Sequence, residues 1–286
     1  MPERGMHTTT LDDCRSWLRP RAVDSHKGDF GSVGVLGGAT GMLGAALLAG
    51  RAALYLGAGR VYVGLLDDRL AVDPLQPELM LAPPQQVLAL RPPGCLVVGP
   101  GMGRDEDARR RLHEALYSPL ALLIDADGLN LLAESATLRA VLRQRPVPAL
   151  LTPHPGEAAR LLGTTAAQVQ AERPAALHRL VEDYGCVVLL KGAGTLVQAP
   201  GGRMWRNPTG NPGLAAPGMG DVLAGMIAAL VAQGLTLEQA AVLGAYLHGA
   251  AADAAVAQGR GPVGLTAGEV AHAARELLNR WFPHYG

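Results

Sequence analysis

Short apolar runs that end in glycine, proline or acidic residues alternate along this chain with longer helical patterns. They include SVGVLGG at residues 32–38, CLVVGPGMG at 95–103, ALLIDADGLN at 121–130 and ALLTPHPGE at 149–157. A run that is apolar throughout is typical of a strand buried on both faces, as in a parallel sheet covered by helices. The alternation therefore predicts an α/β fold: a three-layer α/β/α domain with a mostly parallel central sheet.

The sequence shows no sign of a boundary between two domains. We find no long linker, low-complexity tract or repeat, and the stretch GCVVLLKGAGTLVQ at residues 185–198 continues the strand pattern. That stretch predicts a strand, a tight turn and a second strand, and nearly everything after Gly218 has a helical pattern. A single domain over residues 1–286 is the prediction.

The charge balance argues against a nucleic-acid partner. Lys and Arg together number 25, as do Asp and Glu, so the formal net charge is zero, whereas nucleic-acid-binding domains usually carry a basic excess. The three cysteines, Cys14, Cys95 and Cys186, fit neither a metal-binding spacing nor a disulfide framework. A reducing compartment is the simplest setting for such a chain, so we expect a cytoplasmic protein.

A membrane partner is not expected either. The first residues, MPERGMHTTTLDD, contain no apolar signal core. The most apolar long stretch, residues 42–66, is interrupted by Arg51 and Arg60 and has the pattern of a helix, a turn and a strand.

Two helical segments are rich in alanine and glycine: GAALLAGRAALYLGAG at residues 44–59 and AAVLGAYLHGAAADAAVA at 240–257. Small residues allow close approach of backbones, so the favoured interpretation is tight packing of helices within one chain. The alternative is a helical interface between subunits. On that alternative we expect a homo-oligomer, with a tetramer as the expected form.

The loops that follow the predicted strands are the candidate ligand site. They have the sequences GGATG, GPGMG, DADGLN, TPHPGE and KGAGT, and in open α/β sheets ligands bind beyond the carboxyl ends of the strands. Each loop taken alone could be ordinary turn chemistry, since Gly, Pro, Asn and Asp dominate turns. Five such loops at predicted strand ends favour a ligand cleft.

The most informative stretch is APGMGDVLAG, in which a lone acidic residue, Asp221, opens an apolar helix. Pro217 fits the first helical position, and the backbone N–H groups of Gly218, Met219 and Gly220 are then left without a helical partner. These donors and the helix dipole together predict an anion site.

Asp221 stands beside this predicted anion site. A carboxylate and a phosphate would repel each other there unless a hydroxyl lies between them, which is the arrangement for phosphoryl transfer to an alcohol. The carboxylate would accept the hydroxyl proton while the N–H groups stabilise the charge on the transferred group. The alternative is that Asp221 only complements the helix dipole.

The motif GMGD followed by an apolar helix resembles the signature of the ribokinase-like superfamily. In the order KGDFG, DADGLN, TPHPGEAARLLG, VVLLKGAGTLV and GMGDVLAG, the motifs are similar to those of one branch, the ADP- or ATP-dependent (S)-NAD(P)H-hydrate dehydratases. The resemblance extends over residues 27–257, and it implies a ribokinase-like fold. It also implies ADP-dependent dehydration of the S form of hydrated NADH or NADPH, through phosphorylation of the 6-hydroxyl, elimination of phosphate and conversion of ADP to AMP.

The same resemblance implies roles for particular residues. Asp221 would be the catalytic base, and it would contact the hydrate together with Ala45, Gly103 and His154. The adenine nucleotide would be held by Gly220 and by the residues of the predicted turn, which are Lys191, Gly192, Ala193, Gly194 and Thr195. Mg²⁺ is expected with the nucleotide, but the sequence does not identify its ligands. A separate epimerase would be the functional partner.

This chain departs from the branch at Ala216 and Pro217, where relatives usually carry Thr or Ser and then Gly or Ala. Ala216 removes a hydroxyl that could contact phosphate. Pro217 removes one N–H from the predicted anion site, so we expect weaker phosphate binding than in relatives.

Two other functions stay open at this stage. One is a kinase acting on a vitamin precursor of the hydroxymethylpyrimidine or hydroxyethylthiazole type; those relatives tend to carry TPN where this chain has TPH, so His154 argues against it. The other is a nucleotide-binding sensor without catalysis, against which the intact Asp221 argues. Asp125 and His248 are interpreted as structural. Asp127 is interpreted either as a helix cap or as a group that places a metal ion or water.

Overall fold

The computed structural model describes residues 5–282, and the ten strands found there form one sheet. The strands are β1 (His7–Thr8), β2 (Ser32–Gly37), β3 (Arg60–Leu65), β4 (Met80–Leu81), β5 (Gly94–Val98), β6 (Ala121–Ile124), β7 (Ala149–Leu151), β8 (Val187–Leu190), β9 (Leu196–Gln198) and β10 (Met204–Arg206). Their order across the sheet is β1-β10-β9-β8-β7-β6-β5-β2-β3-β4. Strands β5 to β10 are neighbours in chain order, as are β2 to β4, and β2 lies beside β5 where the two runs meet.

The helices of the described residues lie between and after these strands. They are α1 (Leu11–Arg15), α2 (Leu43–Tyr55), α3 (Pro84–Leu88), α4 (Glu106–Ala115), α5 (Asp127–Glu134), α6 (Ala136–Arg143), α7 (Pro155–Leu162), α8 (Ala166–Ala171), α9 (Arg173–Tyr184), α10 (Met219–Ala232), α11 (Leu237–Ala257) and α12 (Ala267–Trp281). Two short 3₁₀ turns, Lys27–Phe30 and Pro212–Leu214, complete the regular structure.

The sheet is mostly parallel, as predicted. Only β9 runs antiparallel to its neighbours, β8 and β10, and the other pairs within the described residues are parallel. The tight turn predicted between residues 185 and 198 therefore exists as the β8–β9 hairpin. The prediction of one domain over residues 1–286 stays a prediction, and residues 1–4 and 283–286 lie outside the described part.

Helices cover both faces of the sheet. In β2, Val33 and Val35 belong to the core formed with α2, α10, α11 and α12, whereas Leu36 belongs to the core formed with α3 to α9. This arrangement confirms the three-layer α/β/α fold. The carboxyl ends of the central parallel strands meet at one edge of the sheet, and the candidate ligand loops lie there.

Glycine and alanine bring the helices of the first core into backbone contact. A Cβ atom on Gly225 of α10 would lie 2.0 Å from the carbonyl oxygen of Ala49 in α2. A Cβ atom on Gly244 of α11 would lie 2.6 Å from Cγ1 of Ile227 in α10. These small residues therefore serve packing within the chain, which confirms the favoured interpretation at these positions. They give no support to a subunit interface.

The helix α11 has the length and apolarity of a membrane span, with a mean hydropathy of 1.3 over its most apolar window. However, 67% of that window is buried inside the protein, and the helix packs against α10 and α12. Such burial is typical of a core helix, so packing within the protein explains the apolar composition of α11.

We expect Gly225→Ala to lower the free energy of unfolding, because the added methyl group would collide with the backbone of Ala49. Overpacking of this kind costs about 1–3 kcal/mol. The matched control is Gly268→Ala in α12, where nothing lies within 4 Å of the added carbon. Urea unfolding measures both variants, and equal stabilities would contradict this account of the α2–α10 contact.

Candidate active site

A cavity of about 730 Å³ opens at the carboxyl ends of β6, β7 and β8. Its wall consists of the β8–β9 turn, the first turn of α10, the segment 207–212 with residues 214–216, and one side of α11. The structure thus brings together most of the residues singled out in the sequence. Those that line the cavity are His154, Lys191, Gly192, Ala193, Gly194, Thr195, Met219, Gly220 and Asp221.

The helix α10 begins directly after a glycine in the left-handed conformation. Gly218 has a φ of 83°, which favours glycine, and its carbonyl accepts the first helical hydrogen bond from the N–H of Val222 at 3.0 Å. The backbone N–H groups of Met219, Gly220 and Asp221 therefore belong to the first turn, where an α-helix leaves them without an internal partner. The donors were predicted to be the N–H groups of Gly218, Met219 and Gly220, and the structure shifts this set by one residue, to begin at Met219.

The prediction that Pro217 occupies the first helical position is wrong. Gly218 turns the chain before the helix starts, so Pro217 lies two residues before its first residue, Met219. Its missing N–H takes nothing from the donors of the first turn. Ala216 lines the cavity, so a hydroxyl group at this position would face the ligand space.

An ammonium group among carboxylates lies at the base of the cavity. The Nζ atom of Lys191 is 2.7 Å from Oδ1 of Asp125 and 3.9 Å from Oε2 of Glu157. A Cβ atom on Gly220 would lie 3.3 Å from the same Nζ and 3.7 Å from Oδ2 of Asp125, so this ion pair packs directly against the first turn of α10. Burial alone would lower the pKa of Lys191, but the neighbouring carboxylates raise it, and the side chain is charged.

Asp221 has no hydrogen-bond or ion-pair partner among the residues that the structure describes. Burial of its carboxyl group and the negative charge of Asp125 raise the pKa of Asp221 to about 7, although the charge of Lys191 acts in the opposite direction. A carboxyl group whose pKa lies near neutral pH can accept a proton and release it again during a reaction.

Glu157 is a second carboxyl group with a raised pKa. Burial raises the pKa of Glu157 to about 7, against the lowering effect of Lys191. Its Oε2 atom accepts a hydrogen bond from the backbone N–H of His154 at 2.8 Å, so it also caps α7. Two groups that titrate near neutral pH therefore lie within the same cavity.

The ring of His154 is oriented by its own loop. Its Nδ1 atom accepts a hydrogen bond from the N–H of Gly156 at 3.0 Å, and its Nε2 atom lies 3.5 Å from Oε1 of Glu157. Burial and the charge of Lys191 lower the pKa of His154, so the ring is neutral at pH 7. With Nδ1 used as an acceptor, the proton of the neutral ring resides on Nε2, and His154 acts as a hydrogen-bond donor.

Ala45 and Gly103 lie outside the lining of this cavity. The GPGMG loop that contains Gly103 packs against Ala45, since a Cβ atom on Gly101 would lie 3.1 Å from the Cβ of Ala45. Ala45 and Gly103 are both partly exposed. The N–H of Gly103 donates to Oδ2 of Asp127 at 2.9 Å, so Asp127 tethers the GPGMG loop. Their predicted contact with the hydrate stays a prediction, with the GPGMG loop as the surface concerned.

The structural interpretation of Asp125 and His248 is incomplete, since both line the cavity. Burial, with a smaller contribution from Lys191, lowers the pKa of His248 to about 4, and its Nε2 atom has no hydrogen-bond partner among the described residues. Glu157 was missed, although its place in TPHPGE is that of a capping-box glutamate. The sequence signal for Asp125 was its position directly after the apolar strand β6.

The described residues contain no group of three or more His, Cys, Asp or Glu side chains that could hold a metal ion. Mg²⁺ is commonly bound by one or two carboxylates together with phosphate oxygens. The carboxylates of Asp125 and Asp221 face the cavity, so the site fits a Mg²⁺ ion that arrives with a nucleotide.

Residues 33–274 match the family described as NAD(P)H-hydrate dehydratase. The chain is 46% identical over 267 residues to the ADP-dependent (S)-NAD(P)H-hydrate dehydratase of Neisseria meningitidis, a match that covers 92% of this chain and 90% of that protein. It is 40% identical over 269 residues, 92% of this chain, to the bifunctional NAD(P)H-hydrate repair enzyme of Escherichia coli. There the match covers 50% of the relative, so this chain spans about half the length of the bifunctional protein.

Solved structures agree with these sequence matches. The ADP/ATP-dependent NAD(P)H-hydrate dehydratase of Bacillus subtilis, co-crystallized with ATP and Mg²⁺, superposes with a TM-score of 0.86 at 28% identity, over 97% of this chain and 99% of that chain. The hydroxyethylthiazole kinase of Pyrococcus horikoshii, with a TM-score of 0.60 at 19% identity over 96% of this chain and 92% of that chain, shares the fold alone.

A ribokinase-like superfamily protein of Enterococcus faecalis superposes with a TM-score of 0.85 at 25% identity, over 99% of this chain and 98% of that chain. Together with the sheet order and the glycine-led helix α10, this superposition defines a ribokinase-like α/β protein. Within that class, the chain belongs to the NAD(P)H-hydrate dehydratase family.

The raised pKa of Asp221 has a consequence for stability. The native state holds the proton up to about pH 7, whereas the unfolded chain releases it near the ordinary aspartate pKa of 3.8. Ionisation of this group therefore weakens the folded state progressively as the pH rises from 4 through 7. We expect Asp221→Asn, which cannot ionise, to gain stability relative to the unmodified protein as the pH rises from 5 to 8, measured by melting temperature.

Asp73 supplies the contrasting variant. Burial would raise its pKa, but hydrogen bonds from Arg51 lower the pKa of Asp73 overall. Asp73→Asn is therefore expected to be less stable than the unmodified protein throughout the same pH range. A stability difference between Asp221→Asn and the unmodified protein that does not change with pH would contradict the assignment for Asp221.

Proposed function

We propose that the protein uses ADP to dehydrate the S form of hydrated NADH and NADPH, which returns them to NADH and NADPH. The observation that carries this proposal is the placement of Asp221, an unpaired carboxyl group with a pKa of about 7 in the first turn of α10. The same cavity is lined by the KGAGT turn between β8 and β9. A proton acceptor and backbone donors for phosphate thus share one cavity, as phosphoryl transfer to an alcohol requires.

In the first step, the 6-hydroxyl oxygen of the hydrate attacks the β-phosphorus of ADP. Asp221 accepts the hydroxyl proton, the new O–P bond forms, and AMP leaves with the oxygen that had bridged the two phosphates. The N–H groups of Met219 and Gly220 stabilise the charge on the transferred group. The ammonium of Lys191 lies next to Gly220 and adds positive charge at the same place.

In the second step, phosphate is the leaving group. The electron pair of the ring nitrogen expels phosphate from the carbon that carried the hydroxyl, and loss of a proton from the adjacent carbon restores the ring double bond. The sum of the two steps converts the hydrate and ADP into the reduced nicotinamide, AMP and phosphate.

ADP is proposed as the preferred phosphoryl donor because the Neisseria relative is named as ADP-dependent. The Bacillus protein is named as ADP/ATP-dependent and was crystallized with ATP and Mg²⁺, so both nucleotides belong in the test. A Mg²⁺ ion on the phosphates would reduce their repulsion from Asp221.

We also propose a cytoplasmic homo-oligomer, with a tetramer as the expected form, that works with a separate epimerase. Relatives named bifunctional repair enzymes, of which this chain spans about half, support the pairing with a second activity. Exposed apolar side chains between β3 and β4, among them Leu75 at 76% exposure, support contact between subunits. A monomeric mass in light scattering at micromolar protein concentration would contradict the oligomer.

The proposed activity is tested by incubating the protein with hydrated NADH, ADP and Mg²⁺. We expect the absorbance of the reduced nicotinamide to return, with AMP and phosphate formed in equal amounts. ATP in place of ADP measures the nucleotide preference. Binding of ADP without recovery of absorbance would favour a sensor, and phosphorylation of a hydroxyethylthiazole alone would favour a vitamin kinase.

Asp221→Asn is expected to fold and to bind ADP at least as tightly as the unmodified protein, because it removes a negative charge next to the phosphates. It cannot accept the hydroxyl proton, and loss of a general base lowers the rate by about 10²–10⁴-fold. Turnover, ADP affinity and melting temperature are measured together. Near-normal turnover would show that Asp221 only complements the helix dipole.

His154→Ala is expected to weaken binding of the hydrate more than binding of ADP. The Nε2 donor of His154 is half exposed and is proposed to contact the hydrate, so its loss should raise the KM for the hydrate about tenfold. The control is His178→Ala on the surface of α9, where the ring contacts Glu182. Loss of ADP binding with hydrate binding intact would mean that the two sites are exchanged.

A further inference from the structure

Every backbone acceptor of the β8–β9 turn is occupied within the protein. The carbonyl of Gly192 accepts from Oγ1 of Thr195 at 3.0 Å, and the carbonyl of Thr195 accepts from the N–H of Asn207 at 2.8 Å. The remaining carbonyl groups accept hydrogen bonds from one side chain, the guanidinium group of Arg173 at the start of α9. It lies within hydrogen-bond distance of the carbonyl oxygens of Ala193 (2.8 Å), Leu190 (3.1 Å), Gly194 (3.3 Å) and Lys191 (3.5 Å).

Most backbone N–H groups of the same turn, in contrast, have no acceptor within the described residues. The N–H of Lys191 donates to the carbonyl of Pro153 at 2.8 Å. The N–H groups of Gly192, Ala193 and Gly194 have no acceptor within the part of the chain that the structure describes, and these three residues line the cavity. A turn with occupied acceptors and free donors favours an acceptor-rich ligand such as phosphate.

The guanidinium group packs directly against the turn backbone. A Cβ atom on Gly192 would lie 2.5 Å from Nη1 of Arg173, and the φ of Gly192 is 141°, so both contact and conformation require glycine there. Several carbonyls can be held at once because the guanidinium presents its donors in a fixed planar fork, which a lysine ammonium does not. Arg173 therefore determines which way the peptide groups of this turn face.

We propose that Arg173 is a positioning residue of the nucleotide site. By holding the carbonyl groups of Leu190, Lys191, Ala193 and Gly194 on its own side, it keeps the free N–H groups of the turn available to the phosphate oxygens of ADP. The identity of the ligand as ADP rests on the proposed function. Without Arg173, carbonyl oxygens are free to turn into the cavity, where they would repel phosphate.

The test compares Arg173→Ala, Arg173→Lys and the control Arg179→Ala by calorimetric titration with ADP. Arg179 lies on the same helix and donates to the carbonyl of Leu162 at 3.3 Å, away from the turn. We expect Arg173→Ala to weaken ADP binding about tenfold or more, and Arg173→Lys to restore it only in part. The KM for the hydrate and kcat at saturating ADP should stay close to those of the unmodified protein.

Guanidinium at a concentration well below that which unfolds proteins should restore part of the ADP affinity of Arg173→Ala, and should not affect the control. Unchanged ADP affinity in a folded Arg173→Ala would overturn the proposal. So would an equal loss of ADP and hydrate binding without rescue, since that pattern indicates a general structural role. If the unmodified protein binds ADP but does not dehydrate the hydrate, the proposed function fails while the role of Arg173 is still decided by these titrations.

Discussion

The ion pair between Lys191 and Asp125 is the contact on which the candidate active site depends. It joins the end of β8 to the end of β6 at 2.7 Å, and it lies directly against Gly220 in the first turn of α10. A single ammonium group here faces the carboxyl groups of Asp125, Glu157 and Asp221. Burial raises the pKa of the other two, Glu157 and Asp221, to about 7, and the ammonium group offsets this only in part because it pairs closely with Asp125.

The buried, unpaired carboxyl group of Asp221 lowers the stability of the protein but can take part in proton transfer. Ionisation of a buried carboxyl group without a partner destabilises the folded state. Replacement of Asp221 by a residue that cannot ionise would therefore increase stability. The cost is tolerated because the core beneath it is densely packed, with Gly225 of α10 against the backbone of Ala49 in α2. The same close contact fixes the position of the first turn of α10, and therefore that of Asp221 and the free N–H groups beside it.

The sequence predicted the central part of the fold well, because strands such as β2, β5 and β6 are apolar on both faces and end in recognisable loops. It missed β1, β4 and β10, which have two or three residues each and are too short to show a periodicity. Pro217 was misplaced because the rule for proline at a helix start competes with the tendency of Gly218 to turn the chain first.

Within the site, prediction succeeded where a motif is local and failed where the contact is distant along the chain. His154, Asp221 and the KGAGT turn are found within short motifs. The pKa of Asp221 is raised first by burial and then by the carboxyl groups of Asp125, directly after β6, and Glu157 in α7; both causes follow only from the folded structure. Arg173 gives no signal at all in the sequence, because it lies in an amphipathic helix well before the turn that it holds.

The most direct test of this account is a carbon-13 NMR titration of the aspartate carboxyl groups in the ligand-free protein, with the Asp221 signal assigned by its loss in Asp221→Asn. The account predicts that Asp221 titrates with a midpoint near pH 7. A midpoint near the ordinary aspartate pKa of 3.8 would contradict this, because Asp221 would then be an ordinary ionised carboxylate at the start of a helix.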